Sequence, residues 1–124
     1  MPRNVLNAND DLEIAVSKRD DSSVVRLRGR VNVDSSPALR DRLMALLQGR
    51  SPEAVIVNLS DVSYIDSSGL ATLIEGLGVA RMRQRTLCVQ GLHGRVLQLF
   101  QATGLFSLFE TNGCKGASSV SQVS

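Results

Sequence analysis

The chain has 124 residues, 43% of them apolar and 21% charged, with a formal net charge of +2; that suits one domain around a single core. No apolar run approaches the roughly 18 residues of a membrane span, and the start, Met1-Pro2-Arg3-Asn4, lacks the apolar stretch of a signal peptide. One Tyr, three Phe and no Trp argue against stacking platforms for nucleic acid, while Cys88, Cys114 and the lone His93 suit neither a disulfide framework nor a zinc site. A reduced, metal-free, cytoplasmic domain is the expectation.

Residues 1–10 read as a flexible N-terminus and 11–110 as the folded domain. Residues 12–16 alternate apolar and polar, as a half-buried strand does. The turn Asp20-Asp21-Ser22-Ser23 returns the chain into a second strand over 24–29, with Val25, Leu27 and Val31 on one face and Arg26, Arg28 and Arg30 on the other. That arginine row reads first as a solvated face, with an electrostatic contact surface as the alternative.

The first helix begins with Ser36 as N-cap and Pro37 at its first position, carries Leu39, Leu43, Leu46 and Leu47 at helical spacing, and closes at Gly49. Residues 54–59 form a near-continuous apolar strand, as a central parallel position requires. A turn then leads to a second helix over 67–83, with Leu70, Leu73, Ile74, Leu77 and Ala80 on its inner stripe. Gly76 and Gly78 inside it each cost about 1 kcal/mol relative to alanine, which a close helix–sheet approach would explain. A strand over 86–90, a third helix over 92–103 and an apolar segment over 105–110 that ends the sheet complete the domain. Residues 111–124 are Gly/Ser-rich and read as a disordered tail. The order is that of a small α/β domain with a mixed sheet of about five strands and helices after the parallel strands.

Catalysis has little support. A serine nucleophile needs a base within reach, and only His93 is available, away from any Gly-x-Ser-x-Gly elbow. There is no phosphate loop, and the two lysines, Lys18 and Lys115, are not placed for a phosphoacceptor aspartate. No catalytic residue, metal or cofactor is assigned. What remains is Asp66-Ser67-Ser68-Gly69-Leu70, an acid and two hydroxyls at a helix start. These residue types are good caps in their own right. Equally, a phosphate there sits where the helix dipole favours negative charge, so it would alter a surface without unfolding the domain.

The stretch from Val55 to Leu70, together with Arg28-Gly29 and Ala102-Thr103-Gly104-Leu105, resembles the STAS domain of bacterial anti-sigma factor antagonists over roughly residues 12–110. The resemblance implies that Ser67, the hydroxyl directly after the aspartate, is phosphorylated by an anti-sigma factor serine kinase using ATP and restored by a dedicated phosphatase. It also implies that the unphosphorylated form binds the kinase and frees the sigma factor. The chain departs from the family pattern at Gly29-Arg30-Val31-Asn32, where the family has Gly-Glu-hydrophobic-Asp; an acidic partner is favoured over an Arg-rich one. Similar domains also serve as the small cytoplasmic subunit of phospholipid-trafficking ABC transporters, binding the ATPase, or build stressosome-like scaffolds.

The expected interface is thus Ser67 with Asp66 and Ser68 shaping the turn, Gly69 admitting a partner's backbone, and a rim of Arg30, Asn32, Ser35, Ser36, Leu70 and Thr72. The Arg81-Met82-Arg83-Gln84-Arg85 cluster is a further candidate, set against ordinary stabilisation of a helix C-terminus. Contact with nucleic acid and insertion into a membrane are not expected.

Overall fold

The computed structural model describes residues 11–49 and 53–111; the segments read from sequence as a flexible N-terminus and a disordered tail therefore lie outside the described residues, apart from Thr111. Strands β1 (Leu12–Arg19) and β2 (Ser22–Val31) form an antiparallel hairpin, and β3 (Ala54–Ile65) and β4 (Thr86–Gln90) add to it in parallel. The sheet order is β1-β2-β3-β4. Helix α1 (Ser36–Gln48) crosses from β2 to β3 and α2 (Ser67–Met82) from β3 to β4; α3 (Gly94–Ala102) and α4 (Leu105–Thr111) follow. Val25, Leu27, Val55, Val57, Leu87 and Val89 are buried, as are Leu39, Leu43, Leu47, Leu73 and Leu77 of the helices. This apolar layer is the main core, and burying each large aliphatic side chain stabilises by roughly 1.5–3 kcal/mol.

The sheet has four strands, not about five. Residues 105–110 belong to α4, because Leu105 and Phe109 are buried one helical turn apart and Phe109 meets Phe100 of α3 at 6.1 Å between ring centroids. A short apolar run fits either element until its partner is known. Strand β3 is also twice as long as the apolar run suggests. Its buried residues after Val57 are Leu59, Val62 and Ile65. They fall three apart because β3 carries one extra residue opposite the step from Arg26 to Arg28 and another opposite the step from Gly29 to Arg30. A bulge breaks the period of two that marks a strand. The expected turn over 60–65 is therefore strand, and it carries the sheet up to the first residue of α2.

Smaller differences have equally local causes. The N-cap of α1 is Ser35, one residue before the expected Ser36, so Pro37 occupies the second helical position. Ile74 is 46% exposed and leaves the inner stripe of α2. The Arg81–Arg85 cluster contributes to the fold: Arg83 Nη2 donates to the carbonyl of Gln48 at 2.8 Å and Arg85 Nη1 to that of Leu46 at 3.5 Å, closing the C-terminal turn of α1. An ion pair of Arg40 with Glu75, at 2.8 Å, ties α1 to α2 from outside; it holds the Glu75 carboxyl below its usual range. Cys114, one of the two cysteines of the sequence, lies outside the described residues.

The three glycines of α2 have different reasons. A Cβ on Gly76 would stand 3.1 Å from Leu87 of β4, so the expected close helix–sheet approach holds there. At Gly78 nothing lies within 4 Å, and that position is exposed. At Gly69 a Cβ would meet Ile65 Cγ1 at 2.6 Å and Val31 Cγ1 at 2.7 Å, both buried. Gly78→Ala is therefore expected to stabilise the protein by about 0.5–1 kcal/mol through helix propensity. Gly69→Val is expected to destabilise it by about 1–3 kcal/mol through overpacking. Urea unfolding followed by far-UV circular dichroism measures both, and equal effects of the two substitutions would contradict this packing.

Candidate functional site

The parallel pairing of β2 with β3 ends at Asp66, whose backbone N–H donates to the Val31 carbonyl at 3.1 Å. From that fixed point the chain turns into α2. Asp66 is the N-cap, in extended conformation, and its Oδ1 accepts from the amides of Ser68 at 2.9 Å and Gly69 at 3.2 Å. The Asp66 carbonyl accepts from Leu70 N–H at 3.0 Å, the first helical bond. Two of the orphan amides of the helix start are thus satisfied by a carboxylate that also complements the helix dipole.

Ser67 occupies the first helical position and is exposed. Among the described residues its hydroxyl has no hydrogen-bond partner. Ser68 is half-buried; its carbonyl accepts from Thr72 Oγ1 at 3.0 Å. The acid caps the helix and the first hydroxyl is left to solvent.

The rest of the expected rim divides into two groups. Gly69, Leu70, Thr72, Ser35 and Ser36 are buried, so these five shape the site from behind and do not form a surface for a partner. Gly69 in particular admits its own Ile65 and Val31, not a partner's backbone. Asn32 organises the β2–α1 loop. Its Oδ1 accepts from the amides of Asp34 and Ser35, both at 3.0 Å, and its own amide donates to Ser35 Oγ at 2.9 Å. Ser35 Oγ in turn donates to the Arg30 carbonyl at 2.8 Å. Asn32 Nδ2 donates to the Asp11 carboxylate at 3.1 Å. An aspartate at position 32 would keep the acceptor role and set a second carboxylate against Asp11, which is the physical reason an amide suits this chain.

Arg30 is exposed, with its guanidinium 5.1 Å from the centroid of the Tyr64 ring. Tyr64, 43% exposed and two residues before Asp66, and Val33, 66% exposed on the neighbouring loop, were missed as candidates from sequence. Tyr64 had a legible signal: it is the sole tyrosine, two residues before the acid. Alongside it lies a hollow of about 70 Å³ lined by Ser63, Tyr64, Arg95, Val96 and Leu99, well below the volume of a usual small-molecule pocket.

Two consequences are measurable by denaturation. Asp66→Ala is expected to cost about 1 kcal/mol, the usual loss for a capping side chain, whereas Ser67→Ala is expected to be nearly neutral. Asn32→Asp is expected to destabilise by setting a second carboxylate against that of Asp11, with recovery in the double variant carrying Asp11→Asn. A Ser67→Ala cost equal to that of Asp66→Ala would transfer the capping role to the hydroxyl.

Comparisons with known proteins identify the family. A family model described as Mlab, STAS domain matches residues 14–110. An anti-sigma-B factor antagonist of Staphylococcus epidermidis is 32% identical over 102 residues, covering 82% of this chain and 94% of that protein. One from Listeria monocytogenes is 27% identical over 107 residues, covering 86% of this chain and 93% of its own length. The crystal structure of an anti-sigma factor antagonist from Mycobacterium paratuberculosis matches with a TM-score of 0.68 at 27% identity, covering 81% of this chain and 84% of the other. On the match of the family model over residues 14–110 and the identity to these relatives, the chain belongs to the STAS domain family.

Proposed function

We propose that this protein is an anti-sigma factor antagonist, a protein-binding switch controlled by phosphorylation of Ser67. The observation that carries the reading is the division of labour at the start of α2: Asp66 caps the helix, and the exposed Ser67 hydroxyl is free of any structural duty among the described residues. A kinase that transfers the γ-phosphoryl group of ATP to Ser67 Oγ breaks no hydrogen bond of the fold. The hydroxyl proton leaves to the kinase or solvent and ADP departs; a phosphatase reverses the state by hydrolysis of the ester. The curated relatives named anti-sigma-B factor antagonists support the same assignment.

The added phosphate brings about −1.5 to −2 charges to the N-terminal end of a helix dipole, where it is tolerated. A partner seated on the junction has to desolvate that charge without a counter-ion prepared for it, so binding is lost while the fold persists. In the unphosphorylated state the exposed surface around Ser67 is amphipathic, with the Arg30–Tyr64 pair and Val33 beside it. Arg30 suits a partner that presents an acid there. The partner in this reading is an anti-sigma factor serine kinase, and the setting is the cytoplasm, where kinase, phosphatase and sigma factor meet. No helix among the described residues is long and apolar enough to cross a membrane, and any effect on transcription passes through the protein partner.

One observation favours a second reading. Arg30 and Asn32 are both committed, to Tyr64 and to the loop and Asp11, and neither restores the acids that accompany the switch in the family. A small STAS subunit of a phospholipid-trafficking ABC transporter would use the same junction as a permanent contact with its ATPase.

The two readings separate in a pull-down from source lysate with wild-type, Ser67→Ala and Ser67→Asp baits, quantified by mass spectrometry. The switch predicts a kinase-fold protein retained by wild type and Ser67→Ala but reduced at least about tenfold on Ser67→Asp, as for a desolvated like charge in an interface. A transporter ATPase recovered equally by all three baits overturns it.

A further inference from the structure

The sheet has a second face that the Ser67 junction does not use. Because Val25, Leu27, Val55, Val57, Leu87 and Val89 point into the core, the residues between them project away from α1 and α2. The strand register sets these outward residues in rows across the sheet. Ala15, Arg26, Asn58 and Gln90 make one row, with Val24 and Ile56 adjacent in the next and Arg19 beyond them. Arg30, the last of the alternating arginines, stacks on Tyr64, and Arg28 is paired in register with Glu13 on one side and Asp61 on the other. Arg26 has no such neighbour: its register partners are Ala15 and Asn58. Neither Arg19 nor Arg26 makes an ion pair or a hydrogen bond among the described residues.

The rows enclose a trough. One hollow of about 300 Å³ is lined by Arg19, Arg26, Asn58 and Gln90 over the half-buried side chains of Val24 and Ile56. It contains no acid. It meets at Arg26 a second hollow of about 450 Å³ that ends at Glu13 and Asp61. Asn58 adds to the donor character of the first. Its Oδ1 accepts from the Ser60 amide at 2.9 Å and the Ser60 hydroxyl at 2.6 Å, so its Nδ2 group is left to donate. Gly91, at φ +78°, lets the end of β4 pass close against this Asn58–Ser60 pair, where a Cβ would fall 2.9 Å from Asn58 Oδ1. The site is thus two unpaired guanidinium groups and an amide donor around an apolar floor.

We propose that this trough is a second docking surface, which takes an acidic peptide segment of a partner protein with an apolar side chain between its carboxylates. Charge complementarity selects the acid: two guanidinium groups and no carboxylate line the first hollow, with Ser17, Ser22 and Gln90 as neutral polar neighbours, and guanidinium groups bind carboxylates in fork geometry. Val24 and Ile56 receive the apolar side chain. The length of the trough, spanning lining residues from all four strands, suits an extended segment over a single small anion. Glu13 and Asp61 at its far end oppose a uniformly anionic polymer such as nucleic acid, and this trough offers no aromatic ring for base stacking. The surface lies on the face of the sheet opposite α1 and α2, so it is free whatever the state of Ser67. The domain is able to hold one partner conditionally at the junction and another constitutively on the sheet.

The test is titration of the ¹⁵N-labelled full chain with a short Glu/Asp peptide carrying one central Leu, at physiological salt, with a Lys-for-acid version of the peptide and inorganic phosphate as comparison ligands. The expected result is amide shifts confined to Arg19, Val24, Arg26, Ile56, Asn58 and their neighbours. The acidic peptide alone binds, and Arg26→Glu weakens it at least about tenfold. Arg19→Gln with Arg26→Gln, which removes the charge without reversing it, also weakens the peptide and guards against misfolding of the reversed variant. Shifts clustered instead at residues 81–85 or around Ser67 overturn the proposal. So does inorganic phosphate reproducing the same shifts at the same concentration, or the absence of binding by the acidic peptide.

Discussion

The position of α2 depends on one close approach: Gly69 against Ile65 and Val31, where an added Cβ would fall 2.6 and 2.7 Å from their side chains and force them to shift. That contact brings the first turn of α2 down onto the ends of β2 and β3. It is compatible with the last ladder bond, from Asp66 N–H to the Val31 carbonyl, only because β3 reaches as far as Ile65. The long strand, the close glycine and the capping acid are therefore one device. The strand delivers Asp66 to the sheet edge, the glycine lets the helix start there, and the carboxylate satisfies the amides that such an abrupt start leaves open. Ser67 is exposed as a by-product, held at a defined place by neighbours that do not need its hydroxyl.

The β2–α1 loop stabilises the same edge from the other side. Asn32 and Ser35 form a closed set of hydrogen bonds around the end of β2, with Ser35 Oγ both accepting from Asn32 N–H and donating to the Arg30 carbonyl. Ser35, though the N-cap of α1, gives its hydroxyl to this set and makes no side-chain cap. Local side-chain bonds of Asn and Ser compete in this way with helix capping wherever a tight loop precedes a helix. The substitution of amide for acid at position 32 follows from the nearby Asp11 carboxylate, which takes the Nδ2 donor. The residues that distinguish this chain near the junction are thus bound into its architecture before any partner arrives.

Sequence reasoning reached the element order, the parallel position of β3, the buried stripe of Leu70, Leu73, Leu77 and Ala80, and the Asp66-Ser67 junction, because each leaves a periodic or local mark. It stopped β3 at Leu59 because the bulges opposite Arg26–Arg28 and Gly29–Arg30 change the inward spacing from two to three, and no local residue announces a bulge. It read 105–110 as strand because the Phe109–Phe100 contact that decides the matter is between two elements. Burial of Ser35, Ser36 and Thr72 was hidden for the same reason: small polar residues carry no hydrophobic signal, and only the hydrogen bonds around them show where they face.

The arginine row of β2 shows how far an alternating pattern goes and where it ends. Alternation places Arg26, Arg28 and Arg30 on one face, and the structure keeps them there. What each does is set by the strand on either side. Arg30 meets Tyr64, Arg28 stands between two acids, and Arg26 faces an alanine and an asparagine. Three identical residues at identical spacing thus hold three electrostatic positions: Arg28 has acids on both sides, Arg30 an aromatic face, and Arg26 neither. Electrostatic steering and specificity at a protein surface come from such uncompensated groups, not from the count of charges. Among the described residues, Arg26 with Arg19 thus forms a cationic patch on the face of the sheet away from α1 and α2.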